Sequence, residues 1–588
     1  MMAGPHFATG GTHMHELVIR GATLVDGTGA EPRPADVAVD HGQITEVTDP
    51  GALDDPSAAR SVDADGLLVT PGFVDLHTHY DGQVTWDPLL TPSCWHGVTT
   101  VVMGNCGVGF APVRPGQEDW LIQLMEGVED IPGTALNEGI TWGWETFPEY
   151  LDVLDGMPRA LDIGTQVPHG AVRAYVMGER GAKNEPATAD DIEAMADLVR
   201  EGIRAGALGF STSRTIMHKA VDGEPVPGTF AAEDELFGIG KVLGELGTGL
   251  FELAPAGVMG EDLSAPEREV EWMRRLSATI GRPVSFALSQ HNLAPDQWRD
   301  VLRLAQEANA DGADLRGQVG GRPLNLLIGF QTFHPFLGRP TYLKIADLPL
   351  AERVAELRRP EVREAILSET SPPSPLDDVI GTRLDVLFPI GEPPDYEPAP
   401  ERSIAAIAAR EQRDPEAVLY DVMLGHDGRE LVMKALLGYS YGNLDDMREM
   451  ILHPNAALGL SDGGAHCGAI CDASIPTFML THWARDRSRG ERLPLELVVK
   501  KQSHDTAQLY GLGDRGVVAP GYRADLNIID FDALQLALPE LVHDLPGGAR
   551  RLIQRADGYR STFVAGEETM HDGEETGARP GKLVRGMR

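Results

Sequence analysis

Leu67-Leu68-Val69-Thr70-Pro71-Gly72-Phe73-Val74-Asp75-Leu76-His77-Thr78-His79 is the stretch that decides the fold. Its largely apolar run predicts a buried strand over 67–76, and two histidines close it. Side chains alternate along a strand, so His77 and His79 face the same way. Two imidazoles on one face can hold one transition metal. The open end of a parallel barrel strand is where enzymes of that architecture do their chemistry. Two histidines beside an exposed turn would be the bland alternative, and the strand context argues against it.

Downstream the chain alternates strand, loop and helix. Strands are predicted over 67–76, 98–106, 160–167, 206–212, 248–254, 283–289, 314–320 and 456–462, with helical patterns over 189–204, 233–246, 265–279 and 295–309. Eight strands with intervening helices predict an α/β fold, a (β/α)8 TIM-like barrel. Between the seventh and eighth strands lie about 135 residues, far more than a βα connection needs. This insertion, about 323–455, contains Pro-rich pieces (371–375, 393–400) and a helical pattern near 403–424. It reads equally as a lid or oligomer contact at the active-site face and as peripheral decoration.

The two chain ends share a different style. Leu17–Arg20, Ala35–Val39 and Ile44–Val47 are short strands punctuated by Asp26-Gly27 and His41-Gly42 turns. Gly516–Val518, Asp525–Ile529 and Arg560–Val564 repeat the pattern at the other end. Neither piece can bury a good core alone, so both are expected to build one small β-sandwich. The expected domains are 1–66 and 509–588 for the sandwich and tail, and 67–508 for the barrel with its insertion.

The 588 residues carry 89 acidic against 50 basic side chains, a formal charge of −39. Such a surface repels nucleic acid and anionic membranes, so neither is expected as a partner. Four cysteines (Cys94, Cys106, Cys467, Cys471) are too few for a disulfide framework. The segment Met1–His15 has no signal-like apolar core, and no run approaches a membrane span. A cytoplasmic protein acting on a small molecule is the expectation, with homo-oligomerisation left open.

Two further strand ends complete a constellation. The second strand runs into Gly104-Asn105-Cys106-Gly107, which puts a thiol at the same mouth as the histidines; thiolate is a strong zinc ligand. The eighth ends in Ser461-Asp462-Gly463-Gly464-Ala465-His466. Asp462 there can bind a metal and serve as general base, and His466 can orient substrate or carry protons. Arg214 and His218 follow the fourth strand, where a guanidinium could fork onto a substrate carboxylate. Arg322, Tyr441 and Asn443 are further candidates.

At this point the chain resembles the amidohydrolase superfamily, and within it the N-acyl-D-amino-acid deacylase branch. The resemblance rests on Pro71–His79, Gly97–Thr100, Gly104–Gly107, Val167–Arg173, Ser461–Gly463 and Ala519–Leu526. It implies a metal-dependent barrel with a two-ended β-sandwich that hydrolyses amide or related C–N bonds, with His169 and Arg173 in the pocket. Many superfamily members bridge two metals with a carboxylated lysine; here the first lysine is Lys183, in a polar loop, and Cys106 matches the branch's cysteine ligand. The chain departs from the pattern on strands five and six, where histidine ligands are expected. Strand five offers only Glu252, and strand six carries Gln290 and His291, with Asn292 in place of a substrate-binding lysine. A one-residue shift flips the face, so Glu252 and His291 stand as uncertain ligands.

The expectation is therefore one divalent metal per chain, held by His77, His79 and Asp462 with Cys106 as fourth ligand or close neighbour. Zinc comes first, with iron or manganese behind. The metal would activate water, with Asp462 as general base, to deacylate an N-acyl (D-)amino acid or similar linear amide. Two alternatives stay open: a cyclic-amide hydrolase of the hydantoin or lactam type, and a catalytically silent scaffold that kept the fold.

Overall fold

A computed structural model describes residues 14–53, 58–372 and 383–586. The expected strand 67–76 is in fact two strands that part at Gly72. Leu68–Pro71 pairs antiparallel with Leu526–Ile529 from the other end of the chain, whereas Phe73–Asp75 pairs in parallel with Val98–Met103. Gly72 permits the handover because its neighbour is so close: a Cβ there would lie 2.2 Å from Thr99 Oγ1.

From Phe73 onward the parallel ladder follows chain order. Phe73–Asp75, Val98–Met103 and Asp162–Thr165 form one run. Val167–Pro168, Gly209–Ser213, Leu250–Ala254, Val284–Ala287, Leu315–Val319 and Ala456–Leu458 form the next. Gln166 alone separates the two runs, and a parallel bridge between Thr78 and Gly463 links the first strand to the last. The helices Ala189–Ala205, Glu233–Leu246, Ala265–Ile280 and Gln297–Ala310 fall between these strands where the periodicity places them. The first shows how local chemistry sets such ends: Thr188 accepts from Asp191 N in a reciprocal capping box, and Gly206, at φ 119°, stops it. This is an α/β arrangement of TIM-barrel type.

Both chain ends fold together, their strands joined in one nine-stranded hydrogen-bonded sheet. Its buried residues, among them Ile19, Val37, Val69, Leu526, Ile528 and Phe563, come from both ends, which is why neither end would hold alone. The last residues continue past the sheet: Val584 N donates to Ile163 O and Leu583 is buried beside the third strand.

The insertion has its own core around Phe330, Phe336, Tyr342 and Tyr420. It carries a three-stranded antiparallel sheet of Leu324–Ile328, Leu387–Pro389 and Val432–Leu437. Pro373 and Pro375 lie outside the described residues, as does most of Met1–His15. Among the described residues no helix is long and apolar enough to cross a membrane.

Candidate metal centre and its chamber

His77 and His79 are each 1% exposed, and their rings sit 5.4 Å apart at 68°. His77 Nδ1 is 2.7 Å from Gln318 Oε1, whose carbonyl can only accept, so Nδ1 carries the proton. The lone pair of His77 is thereby left on Nε2. That atom lies 3.3 Å from Cys106 Sγ and 3.5 Å from Asp462 Oδ1, and His79 Nε2 lies 3.7 Å from the same Asp462 oxygen. The ligand atoms of His77, His79 and Cys106 all fall within 4.8 Å of one another.

Backbone strain marks the same place. Cys106, Leu460, Asp462 and His466 adopt φ values of 55, 57, 48 and 54°. Each left-handed residue costs on the order of 1 kcal/mol, so neighbours must enforce them. They do: Asp462 N donates to His77 O, His79 N to Gly463 O, and Ser461 Oγ to Asp75 Oδ2 at 2.5 Å. Cys106 N donates to Glu252 Oε2 at 3.0 Å.

The electrostatics describe a site short of positive charge. Burial pushes His77 down to about 4, whereas for His79 burial is outweighed by Glu129 and Asp462, which hold the imidazole up at about 9. Burial raises Glu252 to about 8 and Asp75 and Asp81 each to about 7. Burial also drives the Cys106 thiol well above its usual value, and the carboxylates of Glu252, Glu129 and Asp462 push it the same way. Burial alone would raise Asp462, yet His79, His77 and His466 hold it well below the usual carboxylate range. Three polar atoms here are buried without a hydrogen-bond partner: His79 Nδ1, Glu129 Oε1 and Glu252 Oε1. Imidazole, thiol and carboxylate donors crowded with unmatched negative charge fit a divalent cation.

Of the residues singled out in the sequence, His77, His79, Cys106, Asp462 and His466 are brought together; His466 Nε2 is 3.7 Å from Asp462 Oδ2. Glu252 stands behind the group, 3.9 Å from His77 Nδ1. His291 is not part of the cluster, its ring held by Gln297 Oε1 and Ala294 N. His218 lines the chamber, with Nδ1 3.0 Å from Ser213 Oγ. His169 and Arg173 do not line it: both are buried against Glu235, at 3.0 and 2.8 Å. Arg214 is likewise turned to Glu269 at 2.9 Å. Tyr441 is half exposed with its hydroxyl on Asp296, and Asn443 caps the amide of Asp445.

Glu129 is the residue that sequence reasoning missed. It ends the helix Glu118–Glu129, is 2% exposed, and puts Oε1 3.4 Å from His79 Nδ1. The one hint in the sequence is its place at the last turn of a helix, where the macrodipole disfavours a carboxylate; its burial against His79 is visible only in the fold.

Above the cluster lies a chamber of about 340 Å³. The insertion supplies much of its wall through Leu324, Leu326, Leu436, Leu437, Met447 and Met450. The insertion therefore borders the candidate centre instead of decorating a remote face.

Comparison with known proteins places the chain in a family. The Amidohydrolase family model matches residues 60–574. The chain is 27% identical over 571 residues to a D-aminoacylase of Alcaligenes xylosoxydans xylosoxydans, covering 97% of each. It is 26% identical over 574 residues to an N-acyl-D-aspartate deacylase of the same organism, covering 97% of this chain and 95% of that one. Among solved structures, an N-acyl-D-glutamate deacylase from Bordetella bronchiseptica, complexed with zinc and a phosphonate inhibitor, shares the fold with a TM-score of 0.64 at 22% identity. That match covers 97% of this chain and 100% of the other.

Proposed function

The chain belongs to the amidohydrolase family, and from that premise we propose that it hydrolyses a linear amide, an N-acyl amino acid or a similar compound, at the His77–His79–Asp462 centre. The observation that carries the reading is convergence: His77 Nε2 and His79 Nε2 both approach one oxygen of Asp462, with Cys106 Sγ beside them. His77, His79, Asp462 and Cys106 would hold one divalent ion, zinc before iron or manganese. When bound, the ion supplies a Lewis acid for the scissile carbonyl and lowers the pKa of water.

The side chains do the rest. Asp462 is the most solvent-accessible of the four and is ionised, so it can accept a proton from the attacking water and return it to the leaving nitrogen. His466, next to it, can carry outward the water's second proton, released as the acid product ionises. Gln318 and Glu129 fix the two imidazoles from behind. Relatives named for deacylating D-amino acids support the linear-amide class, and among the described residues no lysine lines the chamber, which weighs against the cyclic-amide alternative.

Elemental analysis of the purified protein, paired with an Asp462→Asn variant, tests this. One metal per chain is expected, with kcat lowered about 10²- to 10⁴-fold in the variant while metal is retained. A metal-free protein, or a variant as active as the parent, would contradict the reading and leave the silent scaffold.

A further inference from the structure

We propose that this chamber selects amides with a large apolar acyl group and an uncharged amine part, and that it discriminates against a free substrate carboxylate. The proposal rests on the hydrolase reading above and narrows it to a substrate class. It is carried by what faces the cavity.

A substrate bearing a carboxylate needs a cation, and among the described residues the lining offers no free lysine or arginine. It contains no lysine, and its one arginine, Arg322, is already engaged. The Arg322 side chain is fully buried, donates to Asp472 Oδ1 at 2.6 Å and Cys471 O at 3.1 Å, and lies 3.9 Å over the Tyr396 ring. Arg173 and Arg214 turn away to Glu235 and Glu269. Apart from the Arg322–Asp472 pair, the carboxylates that line the cavity are Glu129, Asp130 and Asp462. Two imidazoles of the lining are partly exposed: His466 sits between two of these carboxylates, 3.7 Å from Asp462 and 3.9 Å from Glu129, and His218 is held by Ser213 Oγ at 3.0 Å and pushed down to about 3 by burial. A carboxylate brought here would find no guanidinium fork or ammonium to hold it, apart from the ion that the reaction itself needs.

The remaining wall is apolar. The leucines and methionines of the insertion face Leu288 and Ile470 across the cavity. A volume of about 340 Å³ exceeds what an acetyl group fills and suits an acyl chain of several carbons. Methionine side chains adapt to chains of different shape, which favours a class of acyl groups over one member.

The test uses full-length metal-loaded enzyme and four matched amides: N-acetyl- and N-octanoyl-D-alanine, and the same two acyl groups on D-alaninamide. Release of the fatty acid is followed as kcat/KM. The octanoyl compounds should exceed the acetyl ones by about tenfold or more, since each buried methylene contributes severalfold. The alaninamides should exceed the free acids by about tenfold or more. A preference for N-acetyl-D-alanine as the free acid overturns this proposal and leaves the hydrolase reading intact. Release from none of the four by a protein holding its metal overturns the hydrolase reading, and this proposal with it.

Discussion

Glu129 illustrates how a single residue can matter without touching substrate. Its carboxylate faces the far nitrogen of His79, and such a partner fixes ring orientation and raises ligand basicity. Glu129→Gln keeps the shape and removes the charge; metal affinity by competitive chelation should fall about 10- to 100-fold, with kcat largely recovered at saturating metal. An unchanged affinity would reduce Glu129 to a packing role. At this scale the sequence was legible only where local geometry dictates direction. His77 and His79 follow from strand alternation, and Cys106 and Asp462 from their places at strand ends. Glu129 lies on a helix far along the chain from His79, and nothing local announces that the helix returns its last turn to the mouth. His169 and Arg173 show the converse: a motif located them, but the buried carboxylate of Glu235 claims both.

Among the elements, the insertion is anchored by a buried ionic network. Glu397 accepts from Arg487 through both oxygens at 3.1 Å and lies 2.9 Å from His482 Nε2, joining the insertion to the helical segment Met479–Asp486 that follows the eighth strand. Burial would raise the Glu397 pKa, but His482 and Arg487 prevail and hold it down at about 2. A carboxyl depressed in the folded state contributes stability that is fully present above its unfolded value. That contribution is lost as pH falls from the ordinary range near 4.5 toward 2. Glu397→Gln should therefore lower stability at neutral pH by about 3 kcal/mol, read from denaturant midpoints, and flatten the acid limb of the stability profile. A variant that keeps the parent's acid limb would assign that limb to other carboxyls. Element positions were largely readable, because period-3.6 and apolar-run signals are local. The division of 67–76 at Gly72 was not, since the two halves differ only in which distant strand each pairs with.

At the level of the whole molecule, the chain ends build one sheet, the strands between them order a mouth, and the insertion covers it. The overall plan was legible because eight strand patterns and two matching ends are written in turn chemistry and hydrophobic rhythm. The chamber was not legible: part of its apolar wall joins Leu324 and Leu326 to Leu436 and Leu437, more than a hundred positions away, through a strand pairing inside the insertion. The central claim is that His77, His79 and Asp462 share one ion with Cys106. Anomalous scattering at the metal edge from a crystal of the metal-loaded protein tests it most directly. One peak is predicted, bonded at about 2.0–2.3 Å to the Nε2 atoms of His77 and His79, an oxygen of Asp462 and the sulfur of Cys106. A metal held by other side chains, with those four left uncoordinated, would contradict it.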